Sequence, residues 1–222
     1  MMEEQIQMKY PFWGPFLMDI MIPDKKIKDL LKRGDSVRNS KEDFKKTLPA
    51  DWEHSFYYEY NAFLAEHPYK CVVPGEHDVY TWFKKTFGIY FDAYIQELNK
   101  TWGVELTTKE WKLESLWINY MKARDFNPPH NHSGDLSFVI YLQVPDELKK
   151  EFEKETERTD SGPGAIIFTN GNDEALSLTN RHYFPMTGQM FIFPAWLKHY
   201  VVGYRSEVER ISVSGNIHFN TT

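Results

Sequence analysis

Cysteine occurs once in the 222 residues, at Cys71. No disulfide can form within the chain, so a reducing compartment is the natural setting and Cys71 reads as a small packed residue. No run approaches the ~18 apolar residues needed to span a bilayer. The opening Met1-Met2-Glu3-Glu4-Gln5 lacks the basic region and apolar stretch of a secretion signal. These absences predict a soluble, cytoplasmic protein with no membrane partner. Positive charge is also in deficit: Lys and Arg number 26 against 32 Asp and Glu, for a net charge of −6. That balance argues against a nucleic-acid partner, which selects a basic face. Repeats and low-complexity tracts are absent as well. Apolar side chains, by contrast, are plentiful. At 41% hydrophobic and 16% aromatic the chain can fill a sizeable core, which excludes disorder, and its length suits a single domain spanning 1–222.

The two halves differ in pattern. Tyr10–Pro23 is aromatic and proline-punctuated, which predicts an extended edge segment. Asp24 is placed to cap a short helix through Leu31, ended by Gly34. Residues 35–55 read as loop with a helical turn near Lys41–Lys46. Val79, Trp82, Phe83, Phe87, Tyr90, Phe91, Tyr94, Ile95 and Leu98 recur at three- and four-residue spacing. They predict a helix over 77–100 that buttresses a sheet. The pattern changes from residue 105 onward. Leu116–Met121, Leu136–Val144, Ala165–Phe168, Gln189–Phe193, Tyr200–Tyr204 and Arg210–Phe219 are short β-rich runs separated by Gly, Pro and Asn, as in a sandwich or small barrel. Residues 1–104 thus read as an N-terminal extended segment with buttressing helices. Residues 105–222 read as the β core, with an insertion at about 145–187 that holds a charged helix over Glu147–Glu157. In Arg210–Asn220, Ile211, Val213, Gly215, Ile217 and Phe219 share one face; Arg210, Ser212, Ser214, Asn216 and His218 share the other.

The chemistry concentrates at Asn127-Pro128-Pro129-His130-Asn131-His132-Ser133-Gly134-Asp135, which runs into an apolar strand. Two imidazoles one residue apart suit a metal, although the pair alone does not name the ion. A third histidine, His199, follows Phe193-Pro194, and Arg210-Ile211-Ser212 comes after it. Histidines from one strand end and a distant strand can occupy one face of an octahedron and leave positions for a bidentate cosubstrate and O₂. The usual form of that arrangement is a two-histidine, one-carboxylate triad on non-haem Fe(II). A 2-oxo acid could chelate such an iron, and an arginine deeper in the site would anchor its remote carboxylate through paired charge-assisted bonds. Ser212 projects from the same strand face and can join that carboxylate.

The segment from about residue 112 to the C-terminus resembles the 2-oxoglutarate/Fe(II)-dependent oxygenases. It is similar to the branch found in phages and bacteria, through Pro129-His130-Asn131-His132-Ser133-Gly134, Ser137, Tyr141-Leu142, Phe193–His199 and Glu209–Asn216. The resemblance implies a mainly β fold with flanking helices, a double-stranded β-helix or jelly roll. It implies an Fe(II) dioxygenase coupling 2-oxoglutarate decarboxylation to oxidation of a second substrate, a small molecule or protein side chain. His130 and His199 match the family's histidine ligands, Arg210 with Ser212 the group that binds the remote carboxylate, and Tyr141 a tyrosine that supports it. Asn119 and Tyr120 fall on the strand leading into the motif, as walls near the cosubstrate. The family carries Asp or Glu where this chain has His132. Three readings follow: all three histidines bind the iron, which is the favoured one; Asp135 swings in as an alternative ligand; or His132 binds and His130 does not. Two rival readings keep the jelly roll, one a cupin-like metalloenzyme that uses no 2-oxoglutarate and the other a non-catalytic binding or structural module.

Overall fold

In a computed structural model, the last strand lies inside the larger of two sheets, between the strands that precede and follow the His-x-His motif. The structure describes residues 14–39, 59–60, 79–103, 111–156, 161–172 and 178–219. Six strands form one sheet in the order β1 (Met18–Met21), β8 (Gln189–Pro194), β5 (Leu136–Gln143), β10 (Arg210–Phe219), β3 (Trp111–Met121) and β2 (Glu59–Tyr60). Four more form a second sheet in the order β4 (Asn127–His130), β9 (Lys198–Val201), β6 (Ile166–Thr169) and β7 (Asn180–Tyr183). Every pairing is antiparallel. Three helices, α1 (Asp24–Asn39), α2 (Val79–Trp102) and α3 (Asp146–Glu155), complete the described elements. The architecture is a double-stranded β-helix with helices added.

Strand alternation splits the interior into two cores. Phe138, Ile140 and Leu142 of β5, Met190 and Ile192 of β8, and Ile211, Val213 and Ile217 of β10 face the helices. There they meet Phe83, Phe87 and Phe91 of α2 and Leu30 of α1, all fully buried. The intervening residues Val139 and Tyr141 of β5 and Phe191 and Phe193 of β8 turn instead to the four-stranded sheet, against Ile166, Phe168 and Val201. Both faces of β5 and β8 are therefore buried, which is why their sequences read as unbroken apolar runs. Each buried large apolar side chain contributes roughly 1.5–3 kcal/mol, so the aromatic stripe of α2 is a principal clamp on the sheet. Gly215 permits the tight fit: a Cβ there would lie 2.5 Å from the Ser115 carbonyl oxygen and 2.6 Å from Phe138 Cζ.

Several expectations are corrected. Helix α1 runs through Gly34 to Asn39, and Asp24 lies in its first turn, with the Pro23 carbonyl accepting from Lys26 N at 2.9 Å. Gly34 serves close packing, since a Cβ would lie 2.3 Å from Ile118 Cδ1. The predicted Tyr200–Tyr204 strand is shifted to Lys198–Val201. Three short strands, β2, β4 and β7, are additional. The 145–187 stretch is not wholly peripheral, because β6 lies between β9 and β7 inside the second sheet. Within that stretch α3 is amphipathic: Leu148 is buried while its lysines are exposed. The helical turn near Lys41–Lys46, Cys71, His54, His67 and His77 lie outside the described residues. No helix among the described residues is long and apolar enough to cross a membrane.

Candidate metal centre and anion anchor

Pairing of β4 with β9 sets His130 opposite His199. The loop after β4 then returns His132 to the same point. Its backbone N–H donates to the Ala195 carbonyl at 2.9 Å, and Ala195 N–H donates to the Asp135 carbonyl at 3.0 Å, so the loop is pinned at both ends. One ligand atom from each of His130, His132 and His199 can be chosen so that all lie within 4.8 Å of one another. The ring centroids are 4.3 Å apart for His130–His199, 4.8 Å for His130–His132 and 5.1 Å for His132–His199.

Proton placement favours coordination. His130 Nδ1 lies 2.7 Å from the Pro128 carbonyl and His199 Nδ1 lies 3.0 Å from the Leu197 carbonyl. A carbonyl can only accept, so Nδ1 carries the proton and Nε2 keeps its lone pair. All three rings are held neutral. Burial lowers His130; burial, then the neighbouring His199 and His130, lowers His132 to about 3. Burial, then His130, lowers His199 to about 4. Neutral imidazoles with one nitrogen already engaged are the form that metals bind.

The second half of the site comes from the larger sheet. A cavity of about 690 Å³, counted with its open mouth, is lined by the three histidines together with Arg210, Ser212, Tyr141 and Asn119. Arg210 is 3% exposed. Its Nη1 donates to the Gly164 carbonyl at 2.8 Å and its Nη2 points to Met121 Sδ at 2.9 Å. Its Nε has no partner, and among the described residues no carboxylate pairs with the guanidinium. The guanidinium also lies 5.4 Å from the Tyr141 ring centroid. A buried cation with an unfilled donor is costly unless an anion completes it. These features fit the groups in question: three neutral imidazoles for an Fe(II), and an orphaned guanidinium for a carboxylate.

Residues 115–216, just under half the chain, match the family described as "Putative 2OG-Fe(II) oxygenase". Residues 115–216 are a 2-oxoglutarate/Fe(II) oxygenase domain. Enzymes of this family use Fe(II), 2-oxoglutarate and O₂ to couple decarboxylation of the 2-oxo acid to oxidation of a second substrate, and this oxygenase is one of them. Solved structures agree on the fold. A prolyl-4-hydroxylase from Pseudomonas putida superimposes with a TM-score of 0.56 at 13% identity, covering 92% of this chain and 93% of its own. HygX from Streptomyces hygroscopicus, with nickel, 2-oxoglutarate and hygromycin B bound, gives a TM-score of 0.54 at 8% identity and covers 92% of this chain and 83% of its own. The viral collagen prolyl hydroxylase from Paramecium Bursaria Chlorella virus-1, in complex with 2-oxoglutarate, gives 0.51 at 12% identity and covers 94% and 98%. At such identities the likeness concerns the fold alone. No curated protein matches the chain.

The remaining expected residues of this oxygenase divide. Asn119 faces the cavity and its Nδ2 lies 3.4 Å from Ser214 Oγ. Tyr120 borders the cavity but belongs to the core beneath α1. Asp135 stays outside the histidine cluster: its Oδ2 accepts from Phe219 N at 2.7 Å and lies 3.5 Å from His218 Nδ1. His218 itself does not line the cavity and sits 3.3 Å from Glu114. Phe193 is buried with its ring 4.8 Å from that of His199, whereas Trp196 is 55% exposed. Sequence reasoning missed Trp117, whose ring is 5.4 Å from that of His132, and Asp125, while Asn127 and Ser137, both within the quoted motifs, also line the cavity without having been given a role. Of the two missed, only Trp117 carried a signal, since it shares the β3 face of Asn119.

Proposed function

We propose that His130, His132 and His199 together hold the Fe(II) of this oxygenase. Arg210 and Ser212 take the remote carboxylate of 2-oxoglutarate, while Tyr141 and Asn119 shape that pocket. The observation that carries the assignment is the pairing, in one cavity, of the three-histidine cluster with a buried guanidinium that has no acidic partner among the described residues. Iron with 2-oxoglutarate and O₂ supplies the oxidising power, and we take the reaction on the second substrate to be a hydroxylation. The protein's part is orientation and exclusion of water. Arg210 is anchored from behind by the Gly164 carbonyl, so its free edge is aimed before the cosubstrate arrives. Phe168 and Phe193 pack against His199 and keep that side of the site dry. The Pro128 and Leu197 carbonyls fix the ring orientations of His130 and His199, so both present Nε2. The second substrate is a small molecule or a protein side chain. The lone Cys71 supports work in a reducing, intracellular setting.

The test is anaerobic titration with Fe(II) and then 2-oxoglutarate, reading the visible charge-transfer band of chelated 2-oxo acid. A band in the wild type that weakens in Arg210→Ala is the expected result. An iron-loaded wild type without a band would overturn the assignment, and loss of iron binding in His132→Ala but not in His130→Ala would exclude His130 as a ligand.

A further inference from the structure

Asp125 is the only carboxylate lining the cavity among the described residues, and neither the metal nor the cosubstrate assignment uses it. It is 8% exposed. Its Oδ2 accepts from Lys122 N at 2.8 Å, while its backbone N–H donates back to the Lys122 carbonyl at 3.1 Å. The same turn holds Arg124 at a φ of +70°, a left-handed conformation rare for arginine, with Arg124 N–H bonded to the Tyr204 carbonyl. The carboxylate is thus fixed by a constrained turn between β3 and β4. Its other oxygen, Oδ1, has no hydrogen-bond partner among the described residues. Burial raises the Asp125 carboxyl above its ordinary range, and hydrogen bonding and charge from Lys122 pull it back only in part. Arg210 does not neutralise it: the guanidinium contacts Gly164, Met121 and Tyr141 instead. Lys122, whose charge offsets that burial only in part, does not line the cavity, so once Arg210 holds the 2-oxoglutarate carboxylate Asp125 is the remaining side-chain charge on the cavity wall among the described residues.

We propose that Asp125 is a specificity residue that receives a basic group, an ammonium or guanidinium, on the second substrate. This rests on the oxygenase assignment above and names the class of molecule it takes: one presenting a protonated nitrogen to the cavity. A charge-assisted bond to a buried carboxylate discriminates strongly, because a neutral analogue leaves the carboxylate desolvated and unpaired.

The experiment is calorimetric titration, without oxygen, of protein loaded with Mn(II) and 2-oxoglutarate. The probes are Nα-acetyl-lysine methylamide and Nα-acetyl-arginine methylamide, each set against its neutral counterpart, the Nε-acetylated lysine and the citrulline derivative. We expect at least one basic probe to bind about tenfold or more tightly than its neutral partner, and Asp125→Asn to abolish that preference. Asparagine keeps an acceptor for Lys122 N–H and removes only the charge, so an unchanged melting temperature identifies a folded variant. The wild-type comparison decides the matter even if the variant does not fold. Absence of any charge preference, or a preference that survives in folded Asp125→Asn, overturns the proposal. A wild type that shows the iron and 2-oxoglutarate band but no charge preference sinks this inference alone, whereas a missing band sinks the assignment beneath it.

Discussion

Arg210 is the residue on which the cosubstrate assignment turns. It sits at the start of β10, buried, with one side of its guanidinium committed to the protein and Nε open. Its planar fork can meet a carboxylate in a paired geometry that a lysine ammonium cannot reproduce. Charge-assisted bonds of this kind contribute about 1.5–3 kcal/mol. Arg210→Lys should therefore weaken 2-oxoglutarate binding by roughly ten- to a hundredfold, with the band recovered at saturating cosubstrate because the histidines are untouched. An unchanged dissociation constant in that titration would show that the carboxylate goes elsewhere. The residue's identity was legible in the Glu209–Asn216 motif. Its orphaned Nε was not, since that depends on Gly164 and Met121, which lie 46 and 89 positions away.

Among the elements, α3 shows how an exposed helix can steady the site without touching it. Glu151 accepts from Arg205 N at 2.8 Å, from Ser206 N at 2.7 Å and from Ser206 Oγ at 2.5 Å. It thereby ties α3 to the loop between β9 and β10, the strands carrying His199 and Arg210. Partial burial acts to raise the Glu151 carboxyl, but hydrogen bonds from Ser206 and Arg205 together outweigh it and leave the group below the ordinary carboxylate range. A folded value below the unfolded one means the unfolded chain binds the proton more readily. The tether is then in force above the unfolded value of about 4.3 and is lost as pH falls through the folded value. Glu151→Ala should lower Tm at pH 7, and the gap from wild type should close as scans are repeated toward pH 3. A gap independent of pH would mean that packing rather than charge is at work. The charged pattern of α3 announced an exposed helix, but its partners came from fifty-odd residues downstream. Strand β4 was illegible for another reason: Asn127-Pro128-Pro129-His130 has two prolines, and only an edge position tolerates that loss of donors.

At the scale of the whole molecule, the two sheets contribute different halves of one site. His130 and His199 belong to the four-stranded sheet and His132 to the loop leaving it; Arg210, Ser212, Asn119 and Tyr141 belong to the six-stranded sheet. A cosubstrate bound to both iron and Arg210 bridges the sheets, so metal and 2-oxoglutarate should stabilise the fold together more than the sum of each alone. A metal at a hundred times its dissociation constant adds about 2.7 kcal/mol, which for a chain of this length is a rise of about 5–11 °C in Tm. Calorimetry with Mn(II), with 2-oxoglutarate and with both should show that rise, a minor effect of 2-oxoglutarate alone, and a further increment for the pair. His199→Ala should remove all of it. Equal and additive shifts would mean the two ligands do not share a site.

The sequence alone determined the ingredients that depend on local periodicity and residue chemistry. These are the helical aromatic stripe of α2, the alternating faces of β10, and the histidines and arginine suited to a metal and an anion. They are legible because side-chain direction follows backbone period within one element. The tertiary structure alone decided which groups converge. It brought His132 beside His130 and His199, turned Asp135 away to Phe219 and His218, and left Arg210 and Asp125 in one cavity without a shared bond. Those outcomes depend on strand register and loop closure between distant segments, where a single hydrogen bond such as His132 N to the Ala195 carbonyl fixes what no local pattern encodes.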